Sequence, residues 1–315
     1  MSTSSIHVAI LAGGPDAERE VSLIGGKAVA AALADRADLK PTFHVIDRLT
    51  RDELRAIHGD VIFPLLHGPW GEGGPLQDLL ETDGRPYVGC RPTAARLAMD
   101  KIATKLAALR LNIPTAPAAI LSTRDERCPL PFPVVVKPVH EGSSVGVRFC
   151  KDHAEFAQAR ASVLEDLKAH PTRVFMIEAA ILNARELTVG ILDGVALPIV
   201  EIKPAVAFYD YEAKYTRDDT KYLVRPELPA GLADLLKSNA VRLARELDVR
   251  HLCRVDYILG RDGAPNLLEV NTMPGFTSHS LLPMAAADAV EGPGLIFAEL
   301  ASRLIMLALR DTPKP

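Results

Sequence analysis

The segment that says most about the fold is residues 254–271, with the sequence RVDYILGRDGAPNLLEVN. Two mainly apolar runs flank residues 261–263, RDG, which are typical of a tight turn. The segment therefore predicts a β-hairpin. Because side chains two positions apart leave the same face of a strand, Asp256 lies beside Arg254 on the first strand.

On the return strand, Glu269 and Asn271 also share a face, so pairing about the turn would bring both of them to Asp256. Three oxygen ligands beside Arg254 are typical of a Mg²⁺ site that also holds phosphate oxygens. We therefore predict a metal site whose ligands are Asp256, Glu269 and Asn271. A solvated sheet face with ordinary ion pairs is the alternative, and the apolar neighbours do not exclude it.

Upstream, residues 186–202 predict a second hairpin, because two strand-like runs flank Asp193-Gly194. Residues 203–225 are polar, have no strong period and contain three tyrosines. We predict a long surface loop there, and loops of that length in a compact domain tend to be functional lids. Helices are predicted at about 231–246 and about 296–309.

The middle of the chain, residues 97–182, predicts a small α+β domain with helices that end near Leu109 and Ala169. Its first strand contains Lys137 and leads into the loop EGSSVGV at 141–147, whose small residues let backbone N–H groups approach phosphate oxygens. Lys137 and Lys101 would add positive charge to this phosphate site. A structural turn with solvent-facing lysines is the alternative, because the common P-loop motif is absent from the sequence.

The first part of the chain alternates strand and helix patterns, which indicates a parallel α/β domain of about ninety residues. The predicted strands are residues 6–11, 42–46 and 61–66. Ligands bind at the carboxyl ends of such strands, where Glu18 follows the first strand and His67 and Glu72 follow the third. Glu18 is either a helix cap or the counter-ion of a substrate ammonium, and His67 is either structural or substrate-binding.

A last candidate site is the segment FTSHSL at 276–281, which follows the predicted metal hairpin. Its backbone N–H groups and the hydroxyl of Ser280 could hold a carboxylate. An ordinary turn is the alternative.

Composition excludes several classes of protein. The 315 residues carry a net charge of −4 and are 48% hydrophobic, which is ordinary for a soluble globular chain and gives no electrostatic reason to expect nucleic acid. No apolar run is long enough to span a membrane, and no secretory signal pattern is present. Four cysteines without a C-x-x-C pair predict free thiols in a reducing compartment. We therefore expect a cytoplasmic protein that binds neither nucleic acid nor a membrane.

These segments, in this order, resemble the D-alanine–D-alanine ligases of the ATP-grasp superfamily over roughly residues 6–310. The motifs that carry the resemblance are Gly13-Gly14 with 17–22, His67–Gly74 with 86–90, Met99-Asp100-Lys101, Val136-Lys137-Pro138, Glu141–Gly146, Tyr209–Tyr215, Arg254-Val255-Asp256, Glu269–Thr272 and 274–281. The resemblance implies a three-domain ATP-grasp fold of the α/β class with α+β segments. Its parts would be a parallel α/β domain at 1–96, a central subdomain at 97–182 and a C-terminal subdomain at 183–315 with the metal site and a mobile loop.

The resemblance also implies which residues bind the nucleotide and the metals. Two Mg²⁺ or Mn²⁺ ions would lie on the three predicted metal ligands. Glu178 would read the adenine and Glu186 would hold the ribose hydroxyls. The full set of implied ATP-binding residues is Lys101, Lys137, Ser143, Ser144, Glu178, Glu186 and Lys214.

The implied substrate residues bind two D-alanines. Glu18 would anchor the first ammonium group, through hydrogen bonds with Ser143 and Tyr215. Arg254 would stabilise the oxyanion of the tetrahedral intermediate. The second carboxylate would be held by Ser280 and the N–H of Leu281, with His67 lining the same site.

The implied reaction is the ATP-dependent joining of two D-alanines through an acyl phosphate, for peptidoglycan precursors, in a homodimer. Carboxylate is a poor electrophile, so phosphorylation supplies the leaving group. The sequence departs from the family pattern at Gly73, where an aspartate is usual, and at 179–182, where the hinge is unusually apolar.

Three other functions remain open from the sequence. The same fold could join D-alanine to D-lactate or D-serine, although a tyrosine at Tyr215 favours an amine acceptor. The chain could be a nucleotide-binding regulator without catalysis, which the presence of every phosphate and metal ligand disfavours. A different ATP-grasp ligase would lack the set of Glu18, Ser143 and Tyr215.

Overall fold

The computed structural model describes residues 5–203, 220–277, 280–289 and 295–311. Its first sheet contains the strands β1 (Ile6–Gly13), β2 (Leu39–Ile46) and β3 (Val61–Pro64), which are parallel and lie in the order β2-β1-β3. β3 and most of β1 are apolar and buried, as expected of a parallel sheet covered on both faces. The prediction of an N-terminal parallel α/β domain is confirmed.

Five helices belong to this first part of the chain: α1 (Arg19–Ala34), α2 (Arg51–Ala56), α3 (Gly68–Gly71), α4 (Pro75–Asp83) and α5 (Pro92–Met99). The last three are missing from the sequence-based expectation. They are short and begin with proline or glycine, and such residues are equally typical of loops. The predicted domain boundary at residue 96 falls inside α5.

The central part begins with α6 (Lys101–Arg110), whose first turn is capped by the carboxylate of Asp100. The Oδ1 atom of Asp100 accepts hydrogen bonds from the backbone N–H groups of Ile102 and Ala103, at 2.8 and 3.0 Å. The elements that follow are β4 (Ala118–Ile120), β5 (Val134–Pro138), β6 (Arg148–Cys150), α7 (His153–Ala169) and β7 (Phe175–Ala179). The strands form an antiparallel sheet in the order β4-β7-β5-β6, so the expected α+β arrangement is present.

The C-terminal part contains an antiparallel sheet of five strands in the order β10-β9-β8-β11-β12. Its elements are β8 (Arg185–Leu192), β9 (Val195–Lys203), β10 (Lys221–Val224), α8 (Leu232–Glu246), β11 (Leu252–Leu259), β12 (Pro265–Asn271), α9 (Leu281–Ala287) and α10 (Phe297–Arg310). The three sheets thus lie within the segments 1–96, 97–182 and 183–315, whose limits stay a prediction.

The expectation of a loop throughout residues 203–225 is wrong at both ends. Lys203 is the last residue of β9, and β10 pairs with β9 in antiparallel register, Val224 opposite Val200. β10 has only four residues and two of them are exposed, so it carries no period that a sequence pattern could reveal. Pairing with a distant strand decides its conformation. The tyrosine-bearing part, including Lys214 and Tyr215, lies outside the described residues.

A single hydrophobic cluster joins the first sheet to the C-terminal part of the chain. Ile10 and Phe63 belong to the same cluster as Met273 and Phe276, which follow β12, and as the buried face of α10. This packing holds the carboxyl ends of the parallel strands against the end of β12. Among the described residues, none of the helices has the length and apolar character needed to cross a bilayer.

Candidate active site

Strands β11 and β12 form the predicted hairpin. Asp256 lies opposite Glu269, and Arg254 lies opposite Asn271. The side-chain amide of Asn271 donates a hydrogen bond to Asp256 Oδ2 at 3.0 Å, while Glu269 and Asn271 line one cleft. The structure therefore brings the three predicted ligand positions together.

The carboxylate of Asp256 is held in one orientation by two neighbours. Arg254 Nε lies 2.9 Å from Oδ1 and Arg254 Nη2 lies 2.8 Å from Oδ2, which is a bidentate pair. Thr188 Oγ1 donates to Oδ1 at 2.5 Å. Asp256 is only 3% exposed, so this pair is largely desolvated. Thr188 was not among the residues predicted from the sequence, although it lies two positions after Glu186 and hence on the same face of β8.

The donor atoms of this hairpin fit a hard divalent cation. Within the described part of the chain, no group of three or more His, Cys, Asp or Glu side chains could hold a metal ion, so a site here must use two carboxylates and the amide oxygen of Asn271. Such an all-oxygen set suits Mg²⁺ or Mn²⁺ rather than Zn²⁺. The guanidinium of Arg254 beside it favours an anionic ligand such as phosphate.

Lys101 connects the hairpin to the glycine-containing loop of the central sheet. It is the first residue of α6 and is buried. Its Nζ lies 3.2 Å from Glu269 Oε2 and donates a hydrogen bond to the carbonyl oxygen of Glu141. A buried ammonium at this junction supports the prediction that Lys101 faces the cleft rather than bulk solvent.

Lys137 and Glu178 form a buried ion pair between β5 and β7, and a further lysine joins them. Lys137 Nζ contacts Glu178 Oε2, and Lys105 Nζ contacts Glu178 Oε1. Burial alone would raise the pKa of Glu178, but the two ammonium groups outweigh it and hold that pKa below its ordinary value. Lys105 was not predicted, although it lies one helical turn after Lys101 on α6.

The loop between β5 and β6 meets the N-terminal domain at Glu18. Ser143 Oγ donates a hydrogen bond to Glu18 Oε1, as the family resemblance implies. Ser143 and Ser144 both have positive φ, +51° and +59°, so the loop turns sharply here. A side chain at Gly142 would place its Cβ 3.2 Å from Glu18 Oε2, so the carboxylate of Glu18 would have to shift slightly to admit it.

His67 and Glu72 hold the segment that follows β12. His67 Nδ1 donates to the carbonyl oxygen of Met273 at 2.9 Å. Glu72 Oε2 accepts from the N–H of Met273 at 2.9 Å, and Thr272 Oγ1 donates to the Glu72 carbonyl oxygen at 3.4 Å. His67 thus has a structural role, because it fixes the backbone at Met273. Its role in substrate binding stays a prediction.

The departure from the family pattern at Gly73 has a steric reason. A Cβ at this position would lie 2.4 Å from the carbonyl oxygen of Pro69, closer than real contacts allow. An aspartate here would require the backbone of α3 to move. The local packing therefore favours glycine over an acidic residue at this position.

The other predicted residues follow β12, lie on β8 or fall outside the described chain. Ser280 precedes α9, and its Oγ accepts a hydrogen bond from the N–H of Thr277 at 3.0 Å. Leu281 is the first residue of α9 and is buried. Glu186 lies on β8 opposite Ile258. Lys214 and Tyr215 are not among the described residues.

Glu72 makes the stability of the protein depend on pH. Burial and the nearby charge of Glu18 raise the pKa of Glu72 from 4.5 to about 8. Between these values the folded state binds one more proton than the unfolded state, so folding stability falls as pH rises, by about 1.4 kcal/mol per pH unit. We expect Glu72→Gln to remove this loss. The measurement is the melting temperature of both proteins without nucleotide or metal. The difference, Tm of Glu72→Gln minus Tm of the wild type, should increase from about pH 5 to about pH 8.

Glu53→Gln is the control for this measurement. The backbone N–H of Thr50 lowers the pKa of Glu53 below 4.5, so its titration lies below the window and the Tm difference for this variant should stay constant. A constant difference for Glu72→Gln as well would show that Glu72 ionises normally in the folded protein.

Comparison with known families agrees with the geometry of the cleft. The chain matches the family model described as the D-ala D-ala ligase C-terminus over residues 115–306 and the one described as the D-ala D-ala ligase N-terminus over residues 47–90. The two matches cover the hairpin, the glycine-containing loop and the third parallel strand.

Individual relatives match over nearly the full length. The D-alanine--D-alanine ligase of Anaeromyxobacter sp. (strain Fw109-5) is 41% identical over 308 residues, 95% of each chain. The crystal structure of the D-alanine--D-alanine ligase of Bacillus anthracis superposes with a TM-score of 0.82 and 32% identity, covering 97% of this chain and 98% of that one. Its complex with ATP gives a TM-score of 0.80 at 29% identity, with the same coverage of 97% and 98%. The chain therefore belongs to the D-alanine–D-alanine ligase family and has its ATP-grasp fold.

Proposed function

We propose that this protein joins two molecules of D-alanine to D-alanyl-D-alanine and converts one ATP to ADP and phosphate. The observation that carries the proposal is that one cleft is lined by the buried Lys101 and by Glu269 and Asn271. Asn271 is hydrogen-bonded to Asp256, which forms a buried pair with Arg254. These groups suit a metal-bound polyphosphate. The complex of the B. anthracis relative with ATP supports the use of ATP.

The nucleotide would lie between the central and C-terminal sheets. Lys101 and Lys137 would bind phosphate oxygens, under the loop that contains Ser143 and Ser144. Glu178, at the end of β7, would meet the adenine, and Glu186 on β8 would meet the ribose. Lys214 would reach the γ-phosphate. The burial of both phosphate lysines in the described structure supports this part of the proposal, because a desolvated ammonium attracts an anion more strongly.

Asp256, Glu269 and Asn271 would hold the divalent cations, and their all-oxygen donor set supports Mg²⁺ or Mn²⁺. Bound there, the ions would neutralise the charge that develops on the transferred phosphoryl group. Arg254 holds the carboxylate of Asp256 in one orientation through a bidentate contact, so the hairpin would offer this ligand without rearrangement. The same arginine would stabilise the oxyanion that forms when the amine attacks.

The first D-alanine would bind with its ammonium on Glu18, which Ser143 orients. Its carboxylate oxygen then attacks the γ-phosphorus, the bond to ADP breaks, and an acyl phosphate forms. The second D-alanine, with its carboxylate on Ser280 and the N–H of Leu281, loses a proton from its ammonium and attacks the acyl carbon, so that phosphate leaves. Closing the cleft to water protects the acyl phosphate from hydrolysis.

Coupled ADP release tests this function directly. With Mg²⁺ and ATP, we expect release that depends on D-alanine and a product with the mass of the dipeptide. L-alanine should give no product. Ester formation with D-lactate, or a mixed product with D-serine, would show that the second substrate is not D-alanine. ATP binding without any turnover would favour a nucleotide-binding regulator.

The same assignment places the protein in cell-wall synthesis. The dipeptide is a precursor of peptidoglycan, and the use of ATP supports a cytoplasmic location. A homodimer, which the family resemblance implies, is part of the proposal, and sedimentation of the purified protein would test it.

A further inference from the structure

Lys105 is a buried cation behind the proposed phosphate site. It lies on α6, and 6% of its side chain is exposed. Its Nζ contacts Glu178 Oε1, lies 2.9 Å from the carbonyl oxygen of Ala116 and lies 2.5 Å from Thr115 Oγ1. Two of these contacts are hydrogen bonds and the third is an ion pair, so protein atoms hold Lys105 on three sides.

The acceptors of Lys105 are fixed to the rest of the fold. Thr115 Oγ1 donates to the carbonyl oxygen of Leu267 at 3.2 Å, and the N–H of Leu267 donates to the carbonyl oxygen of Pro114 at 2.8 Å. Leu267 belongs to β12, the strand that carries Glu269. Lys105 is thereby anchored to the metal hairpin on one side and to Glu178 on the other.

Two ammonium groups share the single carboxylate of Glu178. Lys137 Nζ contacts Oε2 and Lys105 Nζ contacts Oε1, and all three side chains are buried. Two positive charges and one negative charge leave this cluster with a net charge of +1. A buried surplus of positive charge is costly until an anion compensates it, and a polyphosphate is such an anion.

We propose that Lys105 is a positioning residue for the nucleotide, which retains the carboxylate of Glu178 and so leaves the charge of Lys137 for the phosphates. The inference rests on the proposed ATP site. When Lys137 turns to a phosphate oxygen, Lys105 stays as the counter-ion of Glu178, so the carboxylate that would meet the adenine is not left unpaired. Without the charge of Lys105, Glu178 and Lys137 would neutralise each other, and the phosphate site would lose a cation.

The test compares the affinities for ATP and adenosine, measured by calorimetry and by competition, in the wild type and in Lys105→Met. The ratio of the two affinities measures the contribution of the phosphates separately from the contribution of the base. Lys105→Met should lower the ratio of ATP affinity to adenosine affinity by at least about tenfold. In this variant Lys137 pairs with Glu178, and its charge-assisted contact with the phosphates is lost. A packing defect alone would weaken ATP and adenosine equally and leave the ratio unchanged.

The double variant Lys105→Met/Glu178→Gln tests the charge argument itself. It leaves Lys137 without a competing carboxylate and restores the net charge of +1. We therefore expect the ratio to return to within about threefold of the wild-type value. A ratio that stays low in the double variant would overturn the proposal.

Lys105→Gln serves as the second single variant in case Lys105→Met does not fold. Glutamine keeps hydrogen-bonding capacity toward Thr115 and Ala116 but has no charge, so the same loss in the ratio is expected. An unchanged ratio in a folded single variant would show that Lys105 only fills space. A wild-type protein that binds adenosine and ATP equally would instead refute the proposed nucleotide site, and the inference with it.

Discussion

Replacing Asp256 by asparagine is expected to lower the rate of D-alanine-dependent ADP release by on the order of 10³-fold. The amide of asparagine has no negative charge to attract a divalent cation. Both carboxylate oxygens of Asp256 accept hydrogen bonds from Arg254, Thr188 and Asn271. The NH₂ group of an asparagine would therefore face a donor atom instead of an acceptor. The measurement is kcat as a function of Mg²⁺ concentration. The half-saturating concentration of Mg²⁺ should rise in the variant.

Asp193→Asn is the matched control for this substitution. Asp193 lies in the turn between β8 and β9 of the same sheet and pairs with Arg310 at 3.0 Å. Its φ of +52° is a conformation that asparagine adopts readily. We expect wild-type kcat and wild-type Mg²⁺ dependence. Wild-type turnover in Asp256→Asn would mean that the hairpin does not hold the catalytic metals.

Replacing Arg254 by methionine is expected to reduce kcat by roughly 10² to 10³-fold, the usual effect of removing one oxyanion donor. The KM values for ATP and D-alanine should change less than kcat, because the oxyanion exists only during the reaction. The substitution also leaves Asp256 buried without its charged partner, which costs about 3–5 kcal/mol of stability. Unfolding curves must therefore accompany the kinetics.

Two further variants separate catalysis from stability in this experiment. Arg254→Lys keeps the positive charge but not the bidentate geometry, so it should fold and still lose at least about tenfold in kcat. Arg310→Met removes an exposed arginine that also pairs with aspartate, and its kinetics should match the wild type. A normal kcat in Arg254→Lys would mean that a point charge suffices and that the planar fork has no role in the transition state.

The hairpin of residues 254–271 could be predicted from its local sequence alone. Its strands, its turn and the pairing of Asp256 with Glu269 follow from a two-residue period interrupted by a turn sequence, and all of this information lies within eighteen residues. The parallel strands β1 and β3 of the N-terminal domain are equally local, since each is a mainly apolar run. β10 and the helices α3 to α5 were missed, because elements of four to nine residues have no distinctive period. The three helices also begin with proline or glycine, which are equally typical of loops.

The sequence by itself thus predicted the main strands and helices apart from β10 and α3 to α5, the shared position of Asp256, Glu269 and Asn271 on one hairpin and, through the family resemblance, the candidate site residues. The tertiary structure alone decided which buried polar groups meet. Lys105 and Lys137 share Glu178, Lys101 meets Glu269, and Glu72 accepts from the backbone N–H of Met273 after β12. The partners in these contacts are as many as 201 residues apart in the chain. Periodicity reports only neighbours along a strand or helix, whereas an ion pair depends on distance and burial, which exist only once the three sheets pack around one cleft.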